Sequence, residues 1–344
     1  MTESSIQIRT GAEVKQAPAV SIIIPAYNTA SLISEALDSV FAQTYRDFEA
    51  LVVNDGSPDT EALERVLAPY LGRIIYIKQN NRRAAGARNT GIRQARGEYL
   101  AFLDSDEMWL PEFLASQMKL FEEAPSLDMA YTDALFPPDC GRPAGETWMW
   151  GCPSKGPCTF ESLVKEDCHI PVSSVVARKR VIVEAGLFDE TLRCIDDCDM
   201  WLRVAYHGAK ISYQAVPLVY SRPDRPGSLS QNTINAGKAL VQIFTKLDQA
   251  PMAPSTHAAV KERLALEQAL LQLTQAKLDL ASGNFAEASE FFRRANSYFR
   301  SPKLRLVLAG LKVAPRLTRL AVEAWSGLLM TSRQLRAASA IGLR

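Results

Sequence analysis

The sequence lacks any apolar run near the ~18 residues needed to cross a bilayer. Its first twenty residues are polar and mixed in charge, with no apolar stretch of the kind a secretory leader needs, so none is expected. An excess of one charge is absent too. Lys and Arg number 39 against 38 Asp and Glu, a net charge of +1, so no global field favours nucleic acid. The six cysteines (Cys140, Cys152, Cys158, Cys168, Cys194, Cys198) form no Cys-x-x-Cys pairing. Free thiols are the plain reading, and a zinc site from Cys140, Cys152, Cys158 and Cys168 is the alternative, though its spacing matches no such pairing. What remains is a composition of 47% hydrophobic and 22% charged residues, that of a globular protein. At 344 residues the chain exceeds the ~250–300 that one core supports, so a main domain with an appendage is expected.

Short apolar runs alternate with helical periods through the first two thirds. "VSIII" reads as a buried strand stopped by Pro25, followed by a helix in "SLISEALDSVFAQ" that Ser31 or Thr29 would cap. "FEALVV", "RIIYIK", "YLAFLD", "LDMAYTDALF", "VSSVVAR", "ISYQAV" and "PLVYSR" read as further strands, with helices between most of them. Such alternation predicts an α/β fold, a mostly parallel sheet with helices on both faces. Residues 1–19 read as a flexible segment, 20–232 as the α/β domain and 233–344 as a helical region. In that last region "AKLDLASGNFAEASEFFRRANSYF" pairs two helices around Gly-Asn like one tetratricopeptide hairpin.

Ligands of open parallel sheets sit at the carboxyl ends of the strands. Here those ends are polar: Pro25, Ala26, Tyr27 and Asn28 after the first strand, "NDGSPD" after the second, and Asp104, Ser105, Asp106 and Glu107 after "YLAFL". Two carboxylates flanking one residue suit a hard cation such as Mg²⁺ or Mn²⁺, which fills its shell with water and phosphate oxygens. The plainer reading has Asp104 and Asp106 as acids at the start of the next helix.

The segments "SIIIPAYN", "LVVNDGSPD", "GARNTGIRQARGEYLAFLDSDEMW", "FDE" and "IDDCDMWLR" occur in this order. Together they resemble the family 2 glycosyltransferases, inverting nucleotide-sugar transferases of the GT-A fold, from about Val20 to Ser230. The resemblance implies a nucleotide-diphosphate donor, most readily a UDP-sugar, and a divalent metal, Mn²⁺ or Mg²⁺. It puts Pro25, Ala26, Tyr27 and Asn28 beside the base, with Asp55 bonded to it. It puts Arg88 near the diphosphate or sugar, Asp104 and Ser105 at the donor sugars, and Asp106, helped by Asp104, on the metal. The family's acidic pair before "WLR" is usually Glu-Asp. Here it is Asp196 and Asp197, with Asp197 as the general base and Asp196 as the fallback.

Family members often carry a His after the last strands, whereas this chain has "YSRPDRPGSLS", which leaves Arg222 or Arg225 for the diphosphate. Trp148, Trp150, His169 and Trp201 are candidates for the acceptor side. The resemblance implies a glycan or lipid-linked acceptor, a role in cell-surface polysaccharide or lipopolysaccharide synthesis, and a cytoplasmic location. Two other classes compete. A nucleotidyltransferase would need an early Gly-rich phosphate loop, which "PAYNTASLI" lacks, and a non-catalytic nucleotide-sugar-binding scaffold would not need Asp104, Asp106 and Asp197. From Pro302 onward eight Lys or Arg face one acid, Glu323. A basic amphipathic tail of this kind suits peripheral attachment to the inner face of a membrane, or else packing of its apolar face on the domain.

Overall fold

Ile22 and Ile24 pack into one core and Ile23 into another, the alternation expected of a strand buried on both faces. The computed structural model describes residues 7–10, 17–137, 145–149, 154, 157–222 and 233–325. The described strands are β1 (Gln7–Thr10), β2 (Val20–Ala26), β3 (Phe48–Asp55), β4 (Ile74–Gln79), β5 (Tyr99–Phe102), β6 (Met108–Trp109), β7 (Met129–Leu135), β8 (Val175–Arg178) and β9 (Ile211–Tyr220). They form one sheet in the order β1-β4-β3-β2-β5-β8-β7-β9-β6. The run β4-β3-β2-β5 is parallel, as is β7 beside β9. The pairs β5–β8, β7–β8, β6–β9 and β1–β4 are antiparallel. The α/β class therefore holds, but the sheet is mixed rather than mostly parallel.

Helices α1 (Ile33–Phe41), α2 (Thr60–Leu67) and α4 (Phe113–Glu123) supply apolar side chains to the core that takes Ile22 and Ile24. The core around Ile23 is closed by α3 (Arg83–Gln94), α6 (Lys179–Glu184) and α7 (Asp196–Tyr206). The short α5 (Phe160–Val164) carries a capping box between Thr159 and Ser162.

Three expectations need correction. Gln7–Thr10, inside the segment read as flexible, adds an antiparallel edge strand to β4. "ISYQAV" and "PLVYSR" are one strand, β9, because the register skips Ala215 and Val216, and a bulge tolerates Pro217. Pro25 does not stop β2, which pairs with β3 through Ala26. The physical reason for this last case locates the site. β5 pairs with β2 only as far as Ile23↔Phe102, and the Leu103 N–H then donates to the Ile23 carbonyl at 3.1 Å. Pro25 lies two residues on, so its nitrogen faces the same side, where β5 has already left and no donor is missed.

The chain divides into two compact units, Met1–Gly227 and Ser228–Arg344. The second unit holds α8 (Thr233–Asp248), α9 (Pro254–Ser282), α10 (Phe285–Phe299), α11 (Pro302–Val313) and α12 (Pro315–Trp325). α9 ends at Gly283, φ 82°, a left-handed position that glycine takes without steric cost, and α10 folds back from there. Leu273, Ala276 and Leu280 of α9 share a core with Ala288 and Phe292 of α10 and Leu304, Val307 and Leu311 of α11. Among the described residues no helix is long and apolar enough to cross a membrane.

Candidate active site

β2 and β5 part at their carboxyl ends, while successive connections run from β2 to β3 and β4 on one side and to β5 on the other. That is the switch point where open α/β sheets hold ligands. Tyr27 stands half exposed on one lip. The turn after β5, Leu103 to Glu107, forms the other. The buried Ser105 hydroxyl donates to Thr29 Oγ1 at 3.0 Å and joins the two lips. Thr29 is thus engaged across the cleft, and neither it nor Ser31 caps α1, whose N-cap is Leu32.

The β3 end is built around buried polar groups. Asp55 Oδ1 accepts from Gln79 Nε2 at 2.6 Å and from the Arg82 N–H at 2.8 Å. Burial pushes the Asp55 pKa up, and these hydrogen bonds oppose the rise. Asn28 sits at φ 54°, and its N–H donates to Ser57 Oγ at 2.7 Å, while the Ala30 N–H donates to Asp59 Oδ2 at 2.9 Å. Gly56 has φ 63°, and a Cβ there would meet the backbone nitrogen of Asn81 at 2.7 Å. Left-handed strain and a clash with backbone that cannot yield together predict a loss of about 2–4 kcal/mol for Gly56→Ala. A urea midpoint equal to that of the parent protein would contradict this.

The turn after β5 does not serve a helix. β6 separates it from α4, whose N-cap is Glu112 with no side-chain cap bond, so Asp104 and Asp106 are not capping acids. Asp104 Oδ1 instead accepts from Arg88 Nη2 at 2.6 Å. The other end of the same guanidinium, Nη1, donates to Asp196 Oδ2 at 2.7 Å. Arg88 lies on α3, is 4% exposed, and stacks over Phe188 at 5.5 Å. Burial alone would lower its pKa, but the charges of Asp104, Asp196 and Asp197 outweigh that and raise it. Each of its terminal nitrogens donates to a carboxylate, so Arg88 is a bridge inside the site.

α7 delivers the acidic pair. Ile195 precedes it at φ 61°, a left-handed conformation that is costly for a β-branched residue. Asp196 is buried against Arg88, whereas Asp197 is half-buried, and its Oδ1 accepts from the Cys198 N–H at 2.9 Å. Burial, then the neighbouring Asp196 charge, pushes the Asp197 pKa up to about 6, although Arg88 pulls it down. With Asp196 held by an arginine, Asp197 is the carboxylate of the pair suited to taking a proton near neutral pH.

Residues not singled out from sequence complete the frame. Asn89 exchanges two hydrogen bonds with the backbone of Phe188, at 2.8 and 2.9 Å. Glu190 accepts from Asn89 at 3.0 Å and from Arg82 at 2.6 Å. The "RN" of α3 and the "FDE" segment are therefore one latch. Glu107 accepts from the Ser221 hydroxyl, and burial, then the Asp104 charge, pushes its pKa up to about 8. Its only sequence signal is a third acid directly after "DSD".

Other candidates fall differently. Trp201 is 2% exposed and packs on Phe102 and Phe188, so it is a core residue and cannot meet an acceptor. Arg222 donates to the Asp106 carbonyl at 3.2 Å and pairs with Glu35 at 2.6 Å, tying the turn to α1. Trp148 is 37% exposed and near Phe136. The His169 N–H donates to Ser154 Oγ at 3.4 Å. Trp150, Arg225, Cys140, Cys152 and the segment from residue 326 lie outside the described residues. Cys158 and Cys168 are buried and form no disulfide.

No cluster of three metal-ligating side chains exists among the described residues. The turn nevertheless fits a hard cation. Burial first, and then the charges of Asp104 and Asp106, drive Glu107 toward its neutral form, and a divalent ion would relieve the part that comes from repulsion. Mg²⁺-type ions need only one or two carboxylates when a diphosphate supplies the other oxygens.

Residues 21–134 match the family described as glycosyl transferase family 2. The chain is 33% identical over 186 residues to an uncharacterized glycosyltransferase of Rickettsia felis, covering 54% of this chain and 30% of that protein. The chain spans 30% to 64% of the length of the five Rickettsia relatives it matches. Among solved structures it resembles S. aureus TarS 1–349 in complex with UDP-GlcNAc, with a TM-score of 0.61 at 18% identity, over 91% of this chain and 93% of that one. It also resembles the mannosyltransferase PcManGT of Pyrobaculum calidifontis in complex with GDP-Man and Mn²⁺, with a TM-score of 0.57 at 21% identity, over 91% and 88% of the two chains. At these identities the structural likeness is one of fold.

Proposed function

From the match of residues 21–134 to glycosyl transferase family 2, we propose that the chain moves a sugar, with inversion, from a UDP-sugar to a hydroxyl of a glycan or lipid-linked acceptor. The observation that carries this reading is the Arg88 bridge. One buried guanidinium joins Asp104, on the turn assigned to donor and metal, to Asp196, which adjoins the assigned base. The two carboxylates thus lie within the span of one guanidinium, which supports a single site rather than two on opposite sides of the sheet.

In this reading Tyr27 and Asp55 border the nucleobase, and Asp104 and Ser105 face the donor sugars. Asp106, with Asp104, holds a divalent cation, which supplies Lewis-acid neutralisation of the leaving diphosphate when bound. Asp197 accepts the proton of the attacking hydroxyl, so one displacement at the anomeric carbon suffices. Arg88 holds Asp196 in an ion pair, which leaves the proton transfer to Asp197. The neighbours named above carry UDP-GlcNAc in one case and GDP-Man in the other, which supports a nucleotide-sugar donor in general. UDP and a cell-surface polysaccharide or lipopolysaccharide pathway are our choices within that class, as is a site on the cytoplasmic side of the membrane.

A hydrolysis and transfer screen over UDP-, GDP- and dTDP-sugars, with Mn²⁺ and with EDTA, tests the proposal. UDP release that depends on Mn²⁺ and is abolished by EDTA is the expected outcome. Full activity in EDTA would remove the metal assignment, and release from no nucleotide sugar would remove the function.

A further inference from the structure

The second helical unit shows an apolar surface that its own core does not use. In α11 the side chains of Leu304, Val307 and Leu311 are buried at helical spacing. Leu306 and Val313, seven residues apart on the opposite face, are 67% and 86% exposed. α12 repeats the arrangement. Its buried Val322 lies across the helix from Leu317 and Leu320, which are 68% and 60% exposed. Each helix is therefore apolar on two faces, and a soluble helix that is apolar all round is normally buried all round. Isolated exposed apolar side chains mean little, but three leucines and a valine on two successive helices that pack on each other make a patch.

Charge decides the partner. Lys303, Arg305, Lys312 and Arg316 are exposed on the same two helices. Arg319 pairs with Glu323 at 2.9 Å, and Glu323 is the only acid from Ser301 to Trp325. An apolar stripe flanked by cations matches the interface of a bilayer bearing anionic headgroups, where the leucines enter the acyl boundary and Lys and Arg stay at the phosphates.

We infer that the outward faces of α11 and α12 dock the protein on an anionic lipid surface. The inference is independent of the reaction assigned above, because it uses no residue of the cleft.

Flotation of the full chain with phosphatidylglycerol–phosphatidylcholine vesicles, against pure phosphatidylcholine, tests it at low and high salt. Binding is expected only to the anionic vesicles and to weaken with salt. Lys312→Gln with Arg316→Gln should weaken it about fivefold per charge at low salt. Leu306→Ser, Val313→Ser, Leu317→Ser and Leu320→Ser together should abolish it while circular dichroism and nucleotide binding stay unchanged. If that variant loses helix content, the two charge substitutions alone decide the matter. Equal binding to both vesicle types, or unchanged binding of the charge variant, would overturn the inference. So would loss confined to Arg333→Gln, Arg336→Gln and Arg344→Gln, which would move the contact out of these helices. Dissociation of a lipid-free dimer by the serine variant, without any vesicle binding, would mark the face as a self-association surface instead.

Discussion

Asp197→Asn is expected to lower turnover by about 10²–10⁴-fold and to leave donor affinity nearly unchanged. Asparagine keeps the size of the side chain and an oxygen to accept from the Cys198 N–H, but it cannot take a proton. The pH profile gives a second signature. Burial and the Asp196 charge raise the Asp197 pKa to about 6, so below that pH the side chain is protonated and unable to act as base. Parent activity should therefore fall about tenfold per unit as pH drops below about 6 and level off above it. The acid limb should be missing from the residual activity of Asp197→Asn. Donor binding measured by calorimetry and turnover measured by nucleotide release separate the two effects. An Asp197→Asn protein that turns over like the parent would end the base assignment and move attention to Asp196.

The second large effect belongs to Arg88. Removing one member of a buried ion pair leaves the other charge without a partner and costs about 3–5 kcal/mol. Asp196 is nearly enclosed, with a side chain 9% exposed, and carries most of that penalty; Asp104, at 33%, is partly screened by water. Arg88→Ala is therefore expected to lose about 3 kcal/mol of stability, with turnover falling further than donor affinity because both carboxylate groups lose their common anchor. Arg88→Lys should restore only part of either, since an ammonium is a point charge and cannot span two carboxylates as a planar fork does. Urea unfolding alongside steady-state kinetics would detect this. A fully stable and active Arg88→Ala protein would show that the bridge organises nothing.

The strand ends were legible because a buried parallel strand is a nearly continuous apolar run, and the acids of "LDSDE" break it abruptly. The acidic pair before "WLR" was legible by resemblance alone. The role of Arg88 was not legible, because its partner Asp196 lies 108 residues away and only the packing of α3 against the α7 entrance brings them together. For the same reason Asn89 and Glu190 did not announce a shared latch, and Trp201 looked like an aromatic of the acceptor side until Phe102 and Phe188 were seen to enclose it. Gln7–Thr10 lies in a short polar–apolar alternation, Ser5 to Arg9, too brief to stand out beside a mixed-charge segment, and it pairs with the edge of β4. The continuity of β2 through Pro25 depended on where β5 leaves the sheet, which periodicity along one segment does not encode.

The account rests on donor-side and base-side carboxylates sharing one cleft. Its most direct test is an anomalous difference map from crystals grown with Mn²⁺ and UDP. The map should show one manganese bound by Asp106 and the diphosphate, with the Asp197 carboxylate open to the same cavity. A manganese peak away from the turn after β5, or a nucleotide bound where Asp197 cannot reach its sugar side, would contradict it.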